Sequence, residues 1–300
     1  METPSVSVVV PTYNRLNYLK NCLESLRQQD FGNFEIIIVD DGSDSEVREY
    51  LEKIKSEKMK VIFNEKNLGA SNSRNAGAKL SRNEIIAFID DDCRAQKNWL
   101  RELLKKFENE KTGFVFGKTF YVSQNYQGHF PERLVGNANG QWPGAGNIAY
   151  RKEVFEKCGG FDQKFAYYTN EDTEMALRAM AAGFSYKRSA GAIVNHQKMF
   201  WKAATLWKSA RNVSVWPSLK KKYPKIYKEF GAQILFGFII SPIDYMYILL
   251  FPIFFPIFLI RYWYYGGRDL GIFWAKWPVW LIIKRYYIYQ EAWNNKILML

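Results

Sequence analysis

The chain has 300 residues, 48% of them hydrophobic and 24% charged, which excludes wholesale disorder and leaves room for a substantial core. Its net charge of +12 raises nucleic acid, anionic lipid or phosphate-rich substrates as partners. The charge is uneven: residues 1–200 carry 28 basic and 26 acidic side chains, residues 201–300 carry 14 and 4, and the last hundred hold 26 of the 51 aromatic residues. A near-neutral body therefore precedes a basic, aromatic tail.

In chain order, Ser5 to Val10 is a β-branched run halted by Pro11 and reads as a first strand. From Leu16, the positions Leu19, Cys22, Leu23 and Leu26 recur at helical spacing. Glu35 to Val39 is a second, fully apolar strand ending in Asp40-Asp41-Gly42-Ser43. Ser43 and Glu46 have the spacing of a capping box, opening a helix toward Ile54. Met59 to Phe63 predicts a third strand, followed by a small-residue helix to Leu80. Glu84 to Ile89 predicts a fourth strand running into Asp90-Asp91-Asp92, and a helix follows with Trp99, Leu100, Leu103, Leu104 and Phe107 on one side. Cys22, Cys93 and Cys158 are odd in number and form no CxxC pair, which speaks against a disulfide framework or zinc ribbon and suits a reducing setting. Met1 to Pro4 lacks the look of a signal peptide, so the expectation is a body that is not exported.

Strands that alternate with helices and are apolar throughout predict an α/β fold with a mostly parallel sheet covered on both faces. Ligands of such sheets bind beyond the carboxyl ends of the strands. Here those ends are Pro11-Thr12-Tyr13-Asn14-Arg15, Asp40-Asp41 and Asp90-Asp91-Asp92. So many carboxylates at one edge call for a cation. No G-x-G-x-x-G follows the first strand and no G-x-x-x-x-G-K-[ST] occurs. A diphosphate is then expected to be held through a metal, and carboxylate oxygens suit Mg2+ or Mn2+.

PTYNR at 11–15, DDGS at 40–43, IDDD at 89–92, GAGN at 144–147, GGFD at 159–162 and NED at 170–172 together resemble a family 2 inverting glycosyltransferase with a GT-A fold, over roughly residues 5–200. The resemblance implies a Rossmann-like, mostly parallel mixed sheet flanked by helices. It implies that Pro11, Thr12, Tyr13 and Arg15 line the nucleotide-sugar pocket, that Asp41 faces the base, and that Arg74 approaches the base or diphosphate. Asp90 and Asp91 would meet the ribose or metal-bound water, Asp92 would bind the metal directly, and His196 would supply a second metal or phosphate contact. Asp172 would be the catalytic base, with Trp142, Asn147 and Glu171 shaping the acceptor pocket. The chemistry asks for such groups: a cation for the leaving diphosphate and a carboxylate to take the acceptor's proton.

Plainer explanations stand beside each. Ser43 is adequately a helix cap, Asp40 and Asp41 suit a turn before Gly42, and three consecutive acids suit a solvated loop tip. Glu171 and Asp172 also fit the first turn of a helix over Thr173 to Ala182, where acids complement the dipole. His196 fits a satisfied strand histidine, Arg74 a helix-surface arginine, Asn147 a left-handed turn, Trp142 packing, and Cys93 a small filler.

From Ile234 to Ile260 the only full charge is Asp244, long enough for a bilayer span but interrupted by prolines at 242, 252 and 256. A second apolar stretch, Ile272 to Ile283, is too short to span comfortably. Flanking Lys220, Lys221, Lys222, Lys225, Lys228, Arg261, Arg268, Lys284 and Arg285 predict a re-entrant or interfacial arrangement facing the cytoplasm, with Trp263, Trp274, Trp277 and Trp280 as an aromatic belt and Phe200 to Trp216 as an amphipathic bridge. The expected organisation is a catalytic domain over 1–198, connecting helices over 199–230 and a helical membrane-associated region over 231–300. The function expected is a metal-dependent inverting transfer of one sugar from a UDP- or GDP-sugar to a hydroxyl of a lipid-linked acceptor, with membrane lipids as partners and no nucleic acid. A nucleotidylyltransferase-like enzyme and a non-catalytic membrane- or anion-binding protein are the alternatives.

Overall fold

The computed structural model describes residues 5–122, 137–164, 170–197, 210–231 and 268–297, with short pieces at 234–235, 238–239, 249–250, 252–253, 256 and 260. The chain divides into two compact units, Met1–Val122 with Val135–Gln197, and Ser123–Leu134 with Lys198–Leu300.

The first unit opens with β1 (Val6–Thr12), α1 (Leu16–Arg27), β2 (Phe34–Asp40), α2 (Ser45–Ile54), β3 (Met59–Phe63), α3 (Ala70–Leu80) and β4 (Ile85–Phe88). After it come β5 (Cys93–Ala95), α4 (Trp99–Leu104), β6 (Thr112–Val122), β7 (Ile148–Arg151), α5 (Lys152–Lys157), α6 (Glu171–Ala181) and β8 (Ser185–Gln197). They form one eight-stranded sheet in the order β3-β2-β1-β4-β7-β6-β8-β5. β1 to β4 are mutually parallel where they pair, β7 runs antiparallel to β4 and β6, and β8 runs parallel to β6. The mostly parallel, helix-flanked sheet is the expected fold class.

β1 is buried along its whole length, which is why its sequence is apolar without alternation. It does not stop at Pro11, as the sequence suggested. Pro11 pairs with Val39 and Thr12 with Asp40. Asp41 N–H donates to the Thr12 carbonyl and Ile89 N–H to that of Val9. Successive residues of β1 therefore face alternate neighbours, and the missing N–H of Pro11 points past Phe88, where β4 has ended. No ladder bond is lost.

α1 buries Leu19, Cys22, Leu23 and Leu26, the four positions its periodicity singled out. α3 is built of small residues because it lies close on the sheet: a Cβ at Gly77 would stand 2.5 Å from Val9 Cγ1 and 3.2 Å from Val39 Cγ2. The capping box does not form. α2 starts at Ser45 with Asp44 as its N-cap. Ser43 instead accepts from Asn14 N–H at 2.9 Å, and Asn14 Oδ1 accepts from Asp44 N–H at 2.8 Å. The two loops beyond β1 and β2 are thereby tied together. α6 begins two residues earlier than its pattern suggested, with Asn170 as N-cap, so Glu171 and Asp172 both lie in its first turn.

In the second unit, α7 (Val215–Lys222) precedes a short 3-10 turn (Tyr227–Glu229), and α8 (Arg268–Asn294) is the longest helix described. Ser218 of α7 donates to Glu291 of α8 at 2.5 Å. The apolar stretch from Ile234 begins, unlike the helix expected, as a small antiparallel pair, Ile234–Leu235 with Phe238–Ile239. Most of that stretch, with residues 200–209 of the amphipathic bridge and Trp263, lies outside the described residues. Among the described residues, no helix is long and apolar enough to cross a membrane.

Replacing Gly77 by Val should cost about 1–3 kcal/mol, the range for overpacking a filled interior. Urea unfolding should show it, while Gly32→Ala, which meets nothing within 4 Å, stays within about 0.5 kcal/mol of the parent.

Candidate active site

The carboxyl ends of β1, β2 and β4 converge on a group of buried and half-buried acids. Thr12, the last residue of β1, donates its hydroxyl to Asp91 Oδ2 at 2.8 Å. Arg15, at the N-cap of α1, reaches Asp91 Oδ1 at 3.2 Å and Asp92 Oδ2 at 2.8 Å with a single nitrogen, Nη1. Arg74 of α3 is buried, and its Nη2 lies 2.6 Å from Asp90 Oδ1 while its Nη1 lies 2.7 Å from Glu171 Oε1. One guanidinium thus spans the triple-aspartate loop and the start of α6.

β5 pairs antiparallel with β8, setting Cys93 opposite His196. His196 Nε2 comes within 3.3 Å of Asp92 Oδ1. Its Nδ1 lies 2.7 Å from the Gln197 carbonyl oxygen. That oxygen can only accept, so we assign the proton to Nδ1. Nε2 and Asp92 Oδ1 are then placed to share a proton or a cation between them. Asp90, Asp92, Cys93 and His196 each offer one ligand atom, all within 4.8 Å of one another. Two carboxylates and an imidazole make a donor set that fits a divalent cation. Burial pushes the Cys93 thiol well up, which makes it the weakest donor of the four.

The acids on α6 face the same place. Asp172 Oδ2 accepts from Ala145 N–H at 3.1 Å, and Oδ1 accepts from Thr173 N–H at 2.7 Å. Ala145 and Gly146 belong to the Gly-Ala-Gly-Asn turn, and a Cβ at Gly146 would stand 2.9 Å from Asp90 Oδ2. That turn therefore touches both acid groups, one by a hydrogen bond and one by close approach.

Burial raises four of these carboxyls. Burial outweighs Arg15 at Asp91 and, helped by Asp92 and Asp90, pushes it up to about 6. Asp92 is raised by burial and by Asp90, against His196 and Arg15. Burial and the charge of Asp172 push Glu171 up to about 7, against the pull of Arg74. Asp172 is raised by burial, against its two main-chain donors. Asp90 is the exception: burial would raise it, but the Arg74 guanidinium holds it below the ordinary range.

A family model, "Glycosyl transferase family 2", matches residues 7–175. The chain belongs to this family. Among its relatives, an uncharacterized glycosyltransferase of Haemophilus influenzae is 35% identical over 188 residues, 58% of this chain and 62% of that protein. An uncharacterized glycosyltransferase of Rickettsia felis is 37% identical over 129 residues, 43% of this chain and 21% of that one. The chain thus spans less than two thirds of the length of either relative. Among solved structures, the mannosyltransferase PcManGT of Pyrobaculum calidifontis, in complex with GDP-Man and Mn2+, shares the fold at a TM-score of 0.63 and 14% identity, over 98% of this chain and 88% of that one. TarS of S. aureus (residues 1–349), in complex with UDP, does so at 0.54 and 22%, over 75% and 72%.

The remaining residues singled out from the sequence divide in two. Thr12, Arg15, Arg74, Asp90, Asp91, Asp92, Glu171, Asp172 and His196 form one connected set in this family 2 glycosyltransferase. Pro11 is buried in β1, whereas Tyr13 at its exit is exposed. Asp41 lies in the neighbouring loop, buried, with Oδ1 accepting from Leu68 N–H and Asn64 Nδ2, both at 2.9 Å, and Oδ2 accepting from Gly69 N–H at 2.8 Å. Trp142 is 38% exposed on a turn closed by Asn137, three residues before Ala145.

Asn147 requires a correction. Its side chain is buried, with Oδ1 accepting from Trp99 Nε1 at 2.8 Å and Nδ2 donating to the carbonyls of Lys118 and Ala192 at 2.9 and 3.0 Å. It serves the sheet, not an acceptor pocket. Arg74 is buried and bridges two acids, so it is not the helix-surface arginine of the plainer explanation. Sequence reasoning overlooked the main-chain N–H of Ala145, which no side-chain pattern reveals. Cys93, read as a small filler, is fully buried beside the acids.

The raised carboxyl of Glu171 has a stability consequence whose sign is fixed. Its folded value of about 7 exceeds the ordinary 4.5. Its favourable contribution is therefore full below about pH 4.5 and lost as pH rises through about 7. Glu171→Gln should flatten that decline, so urea midpoints compared at pH 5 and pH 8 should show the variant gaining on the parent at the higher pH.

Proposed function

We propose that this family 2 glycosyltransferase moves a single sugar from a nucleoside-diphosphate donor, a UDP- or GDP-sugar, to a hydroxyl of a lipid-linked acceptor, with inversion at the anomeric carbon. The observation that carries the reading is the pairing of two acid groups across Arg74: the cation-fitting cluster of Asp90, Asp92 and His196 on one side, and Glu171 with Asp172 on the other. The solved structures of similar fold were obtained with GDP-Man and Mn2+ and with UDP, which supports a nucleotide-sugar donor and a divalent metal.

Asp92, His196 and Asp90 would hold Mn2+ or Mg2+, which supplies positive charge for the departing diphosphate. Thr12 and Arg15 fix Asp91 and Asp92 so that these acids stay oriented as the donor enters. Pro11 lies near the end of β1, and Tyr13 and Asp41 on the loops beyond β1 and β2, where the nucleoside would rest. The acceptor oxygen attacks the anomeric carbon as the bond to the diphosphate oxygen breaks, and that electron pair leaves with the nucleoside diphosphate. The acceptor's proton passes to Asp172. Its two main-chain donors aim the carboxylate, and its raised proton affinity suits a general base. Glu171 and the exposed Trp142 flank the place where an acceptor would sit. The basic, aromatic tail supports an acceptor confined to a membrane and a catalytic unit at its cytoplasmic face.

Asp172→Asn should lower turnover by about 10²–10⁴-fold, the usual contribution of a positioned base, with donor affinity by calorimetry nearly unchanged. Turnover equal to the parent's would refute the assignment. The acid limb of the pH–rate profile should lie above the ordinary aspartate range, since activity needs the ionised Asp172 and burial raises that group. Asp92→Ala should instead abolish Mn2+-dependent binding of the donor, read by calorimetry with and without the metal.

A further inference from the structure

α8 has two faces of opposite kind. Leu281, Arg285, Ile288 and Ala292 are buried, at a spacing of four, three and four residues. One residue further along, at the same spacing, Ile282 is 60% exposed, Tyr286 59%, Tyr289 38% and Trp293 85%. Residues so spaced lie along one side of a helix, and the eleven steps from Ile282 to Trp293 at ~1.5 Å each make a stripe of about 16 Å. A stripe of aliphatic and aromatic side chains in water is a liability unless something covers it.

The charge of the same unit says what that is. Ser218 of α7 bonds to Glu291 and Asn295, at the end of α8. A few residues on, Lys221, Lys222, Lys225 and Lys228 are exposed, and Glu229 is the single acid between residues 210 and 231. A helix with apolar and aromatic groups on its outer side, next to a run of lysines and too polar to span, has the chemistry of an interfacial element. Tyr and Trp favour the headgroup level, where the ring is apolar and its edge is wet. Among proteins as partners, a second copy would bring its own lysines against these, whereas an anionic bilayer complements them.

We infer that the Ile282–Tyr286–Tyr289–Trp293 face of α8 lies in the surface of a bilayer rich in anionic headgroups, with the lysines after Leu219 contacting those headgroups. This deepens the membrane part of the reading above and is independent of the transfer chemistry. It commits to a helix lying on the membrane, with Trp293 at lipid depth.

The test is binding of the full chain to phosphatidylcholine vesicles with and without phosphatidylglycerol, beside the variant Ile282→Ser/Tyr286→Ser/Trp293→Ser. These side chains are exposed, so the variant should keep the parent's melting temperature and its donor affinity. The inference expects parent binding that rises with phosphatidylglycerol, a loss of about tenfold or more in the variant, and quenching of the parent's tryptophan fluorescence by brominated lipid that Trp293→Phe reduces. Equal binding of parent and variant would overturn this face while leaving membrane association standing. A parent that binds no vesicle would overturn both. A parent that is dimeric without lipid, and made monomeric by the triple substitution, would assign the stripe to a second copy instead. Donor binding by the parent, measured alongside, keeps any of these failures distinct from failure of the transferase reading.

Discussion

Everything at the sheet edge depends on how five closely set carboxylates are kept out of bulk water without driving one another apart. Unpaired buried acids are costly, and the usual relief is protonation or a counter-charge. Arg15 meets Asp91 and Asp92, Arg74 meets Asp90 and Glu171, His196 stands against Asp92, and main-chain N–H groups meet Asp172. The compensation is incomplete. Asp91, Asp92, Glu171 and Asp172 all keep a raised proton affinity, a residual demand for positive charge that a cation or a proton would meet.

The sheet order makes this possible. The parallel half, β3-β2-β1-β4, ends its strands at the acid-lined edge, while the strands beyond β4 return the chain to the same edge. β8 is paired to β6 along its length and to the short β5 at its end, which sets His196 opposite Cys93 across more than a hundred residues of chain. The β6–β8 approach is close at Gly117, where a Cβ would stand 2.0 Å from the Ala192 carbonyl, and Asn147 ties Lys118, Ala192 and Trp99 around it. The GGFD turn is docked on α3 by a reciprocal pair of bonds between the Asn75 amide and the main chain of Phe161, with Gly159 and Gly160 at positive φ.

Much of the parallel half was legible in the sequence, because strands buried on both faces leave unbroken apolar runs and the amphipathic helices between them keep their spacing. Local rules failed where tertiary bonds competed. Ser43 looked like a cap yet binds Asn14, and Pro11 looked like a strand end yet falls where no neighbour needs its N–H. In the site, acids in acidic runs could be read as acids. Their counter-ions could not, since nothing in the spacing of Arg15 or Arg74 says which carboxylate each will reach. Asn147 was misread for the same reason: an asparagine after glycines suits a turn, but only the fold shows three partners around its amide.

The guanidinium of Arg74, which holds Asp90 through one nitrogen and Glu171 through another, ties the triple-aspartate loop to the start of α6, so neither can drift without the other. Lysine, with one ammonium in place of a two-pronged plane, cannot reproduce that geometry. Losing Arg74 would leave Asp90 and Glu171 without the counter-charge they share, so the two acid groups are linked in charge as well as in position.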